Sequence, residues 1–297
     1  MKIGISVSSS ITADRPSRAL AMMVERAAAA HAAGLTSLSV GDRQAHPGWY
    51  AQNTPTLGRL LAEWPDRRAG CLFLVPLWHP VLMAGQIGTL AALVDAPFIV
   101  QVGIGSGDGQ FASMSASMRT RGAVTDESLR VVIGLLAGEE MTSEQLGIGP
   151  TRIGLVPEQE IEWWVGGGSE AAMERAARIG GAWYAGPGPD HQRLAELLGR
   201  YRQACAWHGT TPRATVRRDV LLRPDGDEAR RRAEAIMAAG YRGLGPDVLL
   251  VGGPEDAAAE VAALEAIGFD EVVVRSMSLD QDDALASIEV LGALTTT

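Results

Sequence analysis

Eight short runs of apolar and β-branched residues, each followed by helical sequence rich in alanine and arginine, predict a closed parallel (β/α)8 barrel, a TIM barrel, over residues 1–297 as one domain. The length of 297 residues suits eight such units. Strict alternation of strand and helix requires right-handed crossovers between parallel strands. An open doubly wound sheet is the competing architecture, but it usually carries fewer strands per domain.

The units follow in order. The opening MKIGISVSSS predicts a strand over Lys2–Val7, and Pro16 then starts a helix over Ser17–Ala33 that stops at Gly34. The second strand is Thr36–Gly41. Thr54-Pro55 has the pattern of an N-cap followed by proline at the first helical position, predicting a helix to Trp64. The third strand lies within Ala69–Val75, and Pro80 opens a helix to Val94. The fourth strand is Phe98–Ile104, with a glycine-rich turn and a helix over Thr125–Leu136 behind it; residues 138–160 read as an irregular excursion. The fifth strand, Ile161–Val165, leads through glycines to a helix over Ser169–Ile179. The sixth and seventh strands are Ala182–Ala185 and Ala214–Arg223, followed by helices over Asp190–Trp207 and Asp227–Ala239. Asp247–Val251 is a small extra strand, Pro254 opens a helix to Ile267, and Glu271–Arg275 is the eighth strand.

Composition narrows the function classes. With 46% hydrophobic and 21% charged residues the chain is ordinary globular material. The formal charge of −9 argues against nucleic-acid binding, which needs a basic face. No stretch of about 18 uncharged apolar residues predicts a membrane span. The N-terminus lacks the layout of a signal peptide, so the cytoplasm is the expected compartment. Lysine occurs once, at Lys2, which removes the P-loop and leaves little room for Schiff-base chemistry. Two isolated cysteines, Cys71 and Cys205, and five scattered histidines form no disulfide framework and no metal motif.

A barrel of this kind works at the C-terminal ends of its strands. Those ends carry Ser6 and Ser8, Asp42-Arg43, the run from Val75 to Pro80, GIGSGDG over 103–109, Gly166 to Ser169, and Trp183-Tyr184. Two uses fit the glycine turns. They close the rim tightly, or their bare N–H groups cradle a phosphate, with Ser169 at a helix N-terminus as cap or phosphate ligand. GIGSGDG does not satisfy GxGxxG, because Asp108 holds the last required position. No Gly-x-Ser-x-Gly is present.

Five segments in a fixed order carry a resemblance. They are ERAAAAHAAGLTSLSVGDR, LVPLWHPVLMAGQIGTLAAL, FIVQVGIGSGDGQF, WWVGGGSEAAMERAARIGGAWY and LLVGGPEDAAAEVAAL. Over nearly its whole length the chain resembles the bacterial luciferase-like monooxygenases, flavin- and coenzyme F420-dependent oxidoreductases on a (β/α)8 barrel.

The resemblance implies reduced FMN across the barrel mouth and monooxygenation of a small organic substrate. It implies a flavin reductase as supplier of reduced flavin, and a homodimer. The phosphate would sit near Gly167, Gly168 and Ser169, with help from Gly105, Ser106 and Gly107. Family members often carry a non-prolyl cis peptide in strand three under the flavin ring; counting back from Pro76, Cys71-Leu72 holds that place. Asp42, Arg43 and His46 are the catalytic candidates, and Trp49, Trp78 and Trp183 the candidates for an apolar substrate pocket. No metal is implied.

Departures from the family pattern bear on the chemistry. Arg43 follows Asp42 where a histidine is common, and His46 is the nearest histidine. Ala96-Pro97 and Gly181-Ala182-Trp183 replace Gly-Arg and Asp-Gly-Trp, and Ser106 stands where some relatives use an arginine. Two alternatives stay open. One is F420-dependent hydride transfer, with Arg43, Arg119 and Arg121 meeting the acidic tail. The other is a non-catalytic flavin-binding barrel.

Overall fold

The computed structural model describes residues 1–10 and 13–295. Its elements are β1 (Lys2–Val7), α1 (Pro16–Ala32), β2 (Ser37–Val40), α2 (Asn53–Leu60), β3 (Arg68–Leu74), α3 (Pro80–Ala91), β4 (Phe98–Gly103), α4 (Asp108–Ser113), α5 (Arg121–Leu136), β5 (Met141–Ser143) and β6 (Ile148–Thr151). The chain continues through β7 (Ile161–Gly166), α6 (Glu170–Arg178), β8 (Ala182–Ala185), α7 (His191–His208), β9 (Ala214–Leu222), α8 (Gly226–Ala238), β10 (Leu249–Gly252), α9 (Pro254–Ile267), β11 (Glu271–Ser276) and α10 (Gln281–Thr295).

Strands β1, β2, β3, β4, β7, β8, β9 and β11 pair in that order, all parallel, and β11 returns to β1 to close the ring. This is the eight-stranded barrel that the alternation predicts. The small extra strand is β10. It pairs with β9 from Asp219 to Leu222, past Val216, where β8 leaves off.

The period-two alternation of strands sorts side chains into two sets. Along β4, Phe98, Val100 and Val102 join the large core between sheet and helices, whereas Ile99 packs with Trp164, Ala182 and Val273 in a separate inner cluster. Parallel strands buried on both faces explain why the runs read as continuously apolar. Gly70 belongs to the inner set; a Cβ there would run into the Ile99 carbonyl, so the narrow interior demands glycine.

Helix ends follow local chemistry. Ser169 caps α6, its Oγ accepting from Ala172 N at 3.3 Å, and Asp190 caps α7 in the same manner at 2.8 Å from Arg193 N. The Thr54 cap is corrected: α2 begins at Asn53, behind Gln52, without a side-chain cap. Asn53 is buried and its Nδ2 donates to the Leu72 carbonyl at 2.7 Å, which draws the helix start back against β3. The excursion at 138–160 contains the β5–β6 hairpin, and the glycine turn after β4 contains the short helix α4.

Candidate active site at the barrel mouth

Residues from the C-terminal ends of β1, β2, β3, β4, β8, β9 and β11 enclose a cavity of about 430 Å³. Its floor is built by inward positions near the strand ends: Ser6, Leu72, Gln101, Tyr184, Arg217 and Arg275. The loop after α8 adds Tyr241 and Arg242.

Three of the expected catalytic residues meet at this cavity. Asp42, Arg43 and His46 all line it. Asp42 is buried, and both of its oxygens are engaged. Oδ1 accepts from Gln44 Nε2 at 2.6 Å; Oδ2 accepts from Leu74 N at 2.8 Å and Trp78 Nε1 at 2.7 Å. The carboxyl therefore staples the end of β2 to the end of β3. Burial raises its pKa above the usual carboxylate range, and the three donated hydrogen bonds oppose the rise. Arg43 is exposed at the rim. His46 receives a hydrogen bond from Gly48 N on Nδ1 at 3.1 Å and stands 6.0 Å, centroid to centroid, from the Tyr50 ring.

Leu72 lines the cavity but Cys71 does not. Cys71 faces the outer core, fully buried, with its thiol pKa raised well above the ordinary value by burial. The cis peptide at Cys71-Leu72 is corrected: no cis bond occurs among the described residues. The parallel ladder runs unbroken there, with Cys71 opposite Val40 and Val100 and Leu72 opposite Gln101.

The two glycine turns lie on the rim beyond the cavity lining. Gly105 and Gly107 adopt positive φ of 68° and 96°, and Gln110 ties this turn to the β2 loop by accepting from Gln44 N at 2.8 Å. Gly167, at φ 130°, accepts on its carbonyl from Trp183 Nε1 at 2.7 Å. Gly168 and Ser169 are exposed, at the N-terminus of α6. Because β4 pairs with β7, the two turns are neighbours along the rim.

The tryptophan expectation is corrected. None of Trp49, Trp78 and Trp183 is part of the cavity lining. Trp183 sits one position off the inward register of Tyr184, so it points outward, fully buried against Tyr201 and Phe269. Trp78 donates to Asp42 and packs edge-on to Phe73. Trp49 lies outside the mouth cavity, lining surface grooves shared with Pro16 and Leu20 of α1.

Sequence reading missed Gln101, Arg217, Tyr241, Arg242 and Arg275, and it placed Tyr184 at a strand end without giving it a role. The available signal was a polar or charged residue at an inward position late in an apolar strand, as in FIVQVG, ATVRRDVLL and EVVVRS. Tyr184 is held at about 12 by burial, so its hydroxyl stays protonated at neutral pH.

A closed parallel barrel with its cleft across the strand ends is the architecture of many enzymes; comparison with known proteins narrows it. The model of a family described as luciferase-like monooxygenase matches residues 1–247. The chain belongs to that family. Uncharacterised proteins of Mycobacterium bovis and Mycobacterium tuberculosis are 34% identical over 132 residues, 43% of this chain and 46% of theirs. The match thus spans less than half the length of these curated relatives. Among solved structures, the monooxygenase RslO1 from Streptomyces bottropensis shares 19% identity at a TM-score of 0.82, covering 99% of this chain and 98% of that one. The oxygenating constituent of 3,6-diketocamphane monooxygenase from Pseudomonas putida, in complex with FMN, gives 17% and 0.82, covering 99% and 96%. An F420-dependent secondary alcohol dehydrogenase in complex with an F420-acetone adduct gives 16% and 0.76, covering 99% and 98%. At these identities the structural likeness speaks for the fold. No helix among the described residues is long and apolar enough to cross a membrane.

Proposed function

We propose that this chain is a flavin-dependent monooxygenase that holds reduced FMN across the barrel mouth and uses oxygen on a small organic substrate. The observation that carries the reading is Gln101. It is 3% exposed, lines the cavity, and its Nε2 lacks a hydrogen-bond partner. A buried donor left unpaired costs about 1–3 kcal/mol. Bound flavin would offer Gln101 the acceptor it lacks, since the edge of an isoalloxazine ring alternates carbonyl oxygens and ring nitrogens. The adjacent turns at Gly105–Gly107 and Gly167–Ser169 support a phosphate site, because bare N–H groups and the positive end of α6 favour an anion there.

The flavin, when bound, supplies the redox chemistry. The chain's own residues bind and shield. Leu72 offers an apolar surface, Gln101 a donor, and Tyr184 a neutral hydroxyl that keeps its proton. Asp42 acts as a positioning residue, since its oxygens are committed to the β2–β3 staple. A flavin reductase is the partner this reading requires.

Hydride transfer with coenzyme F420 is the second reading. Arg43, exposed at the rim, favours it by offering a cation to an acidic tail. Arg121 is less suited, because its Nη1 already donates to the Met118 carbonyl at 3.2 Å.

Anaerobic titration with reduced FMN, in parallel with oxidised F420, tests the assignment. Reduced FMN is expected to bind more tightly, and Gln101→Leu to weaken that binding roughly tenfold. Preferential F420 binding would replace the first reading by the second. Binding of neither at tens of micromolar overturns both. Tight FMN binding without oxygen consumption across a substrate screen would leave a flavin-binding barrel.

A further inference from the structure

The mouth cavity holds more positive charge than the protein neutralises. Arg43, Arg217, Arg242 and Arg275 line it, with Asp42 as the one acidic lining residue. Among the described residues Asp42 makes no ion pair; its oxygens are bound by Gln44, Leu74 N and Trp78.

One buried carboxylate, Asp219, serves the arginines behind the cavity wall. It takes Arg217 in a two-point contact at 2.9 and 3.3 Å, Arg242 at 3.4 Å and the Tyr241 hydroxyl at 2.7 Å. Among the described residues Arg275 has no carboxylate within 4.0 Å; its Nη2 donates to Ser8 Oγ at 3.3 Å. Burial lowers the pKa of Arg275, and the nearby Arg217 and Arg242 lower it further, by more than Asp219 and Tyr50 raise it. A half-buried guanidinium with no ion-pair partner of its own is under-compensated, and a planar fork of N–H donors matches an oxyanion. Arg242 also stands at a positive φ of 49°, a backbone conformation uncommon for a side chain of its size.

We infer that the substrate of this barrel carries an oxyanion group, a carboxylate, sulfonate or phosphate, and that Arg275, Arg217 and Arg242 seat that group in the mouth cavity. The inference deepens the flavin reading by naming the substrate class. The cofactor phosphate is the competing anion, and the ring order separates the two. Arg275 on β11 and Ser8 beyond β1 lie on the opposite side of the barrel from the Gly167–Ser169 turn after β7. None of Gly167, Gly168 and Ser169 lines the arginine cavity.

Calorimetric titration with sodium sulfate tests the site, against sodium chloride at matched ionic strength. Wild type is expected to bind sulfate and not chloride. Arg275→Met and Arg242→Met are each expected to weaken sulfate binding at least about tenfold, and Arg200→Met, on the exposed face of α7, to leave it unchanged. Arg275→Met strands no carboxylate, so it is expected to fold; Arg242→Met in the loop is the second readout. Sulfate binding no stronger than chloride binding, or unaffected by either variant, overturns the site. A second arm compares reduced FMN with reduced riboflavin. If Arg275→Met keeps the preference for FMN, the arginines do not hold the cofactor phosphate and the substrate assignment stands. If the preference disappears, the arginines hold that phosphate and the assignment falls. Sulfate binding in a protein that binds neither flavin upholds the anion site while ending the flavin reading.

Discussion

At the N-terminal end of the barrel one arginine faces two carboxylates; at the mouth two arginines share one, and a third, Arg275, pairs with none among the described residues. Arg68 reaches Glu271 at 2.6 Å and Glu162 at 3.2 Å, while Ser37 also donates to Glu271 and Trp164 Nε1 donates to Glu162 at 3.2 Å. Burial alone would pull the Arg68 guanidinium down, but the two carboxylates outweigh it and hold its pKa above the ordinary value. Arg275, half-buried at the other end, moves the opposite way. The same residue type is thus neutralised where the barrel is sealed and left in surplus where it is open. Charge at the closed end is satisfied by the protein itself and serves stability. Charge at the open end exceeds what Asp219 can pair, and a ligand is its natural counterpart.

The largest expected effect breaks the closed end. Arg68→Met would strand Glu162 and Glu271 in the barrel interior and should cost about 3–5 kcal/mol, read from the urea midpoint. A loss below about 1 kcal/mol would erase the contrast between the two ends. Next comes Asp219→Asn, which removes the shared carboxylate at the mouth and should cost about 3 kcal/mol at low salt. Sulfate should restore part of that loss, and none of the loss in Arg68→Met. Equal recovery in both variants would reduce the mouth effect to general salt screening.

Asp42 gives a smaller effect with a defined sign. Its folded pKa lies above the unfolded value, so the native state binds the proton more readily. Stability should therefore fall as pH rises from about 3.9 through the raised folded value, by up to about 1.4 kcal/mol per pH unit. Thermal unfolding of wild type and Asp42→Asn across that window should show the slope in wild type alone; parallel curves would mean that Asp42 titrates normally. The smallest change is Ser169→Ala, which removes the α6 cap and should cost about 1 kcal/mol. Outside the arginine cavity, and across the ring from Arg275, it should leave sulfate binding intact.

Much of the scaffold was legible because periodicity and breakers act locally. Pro16, Pro80 and Pro254 each sit at the first position of a helix, and Ser169 caps the helix expected of it. Thr54 failed as a cap because a long-range bond, Asn53 to the Leu72 carbonyl, outranked the local signal. The β5–β6 hairpin went unread since its strands are short and carry no alternating run.

The site divides the same way. Sequence alone pointed to the strand ends, where Asp42, Arg43, His46 and Leu72 all line one cavity. It also marked the glycine turns, where positive φ is a property of the residue itself. Tertiary structure decided which of two adjacent residues faces inward. Trp183 is turned to the helices and Tyr184 to the mouth by a single step of register. Only the closed ring brings Arg217, Arg242 and Arg275 beside Asp219, and Ser8 to Arg275, although 267 positions separate the last two. Charge balance at such a place is a sum over strands far apart in the chain, so no local pattern encodes it; it exists once the barrel closes.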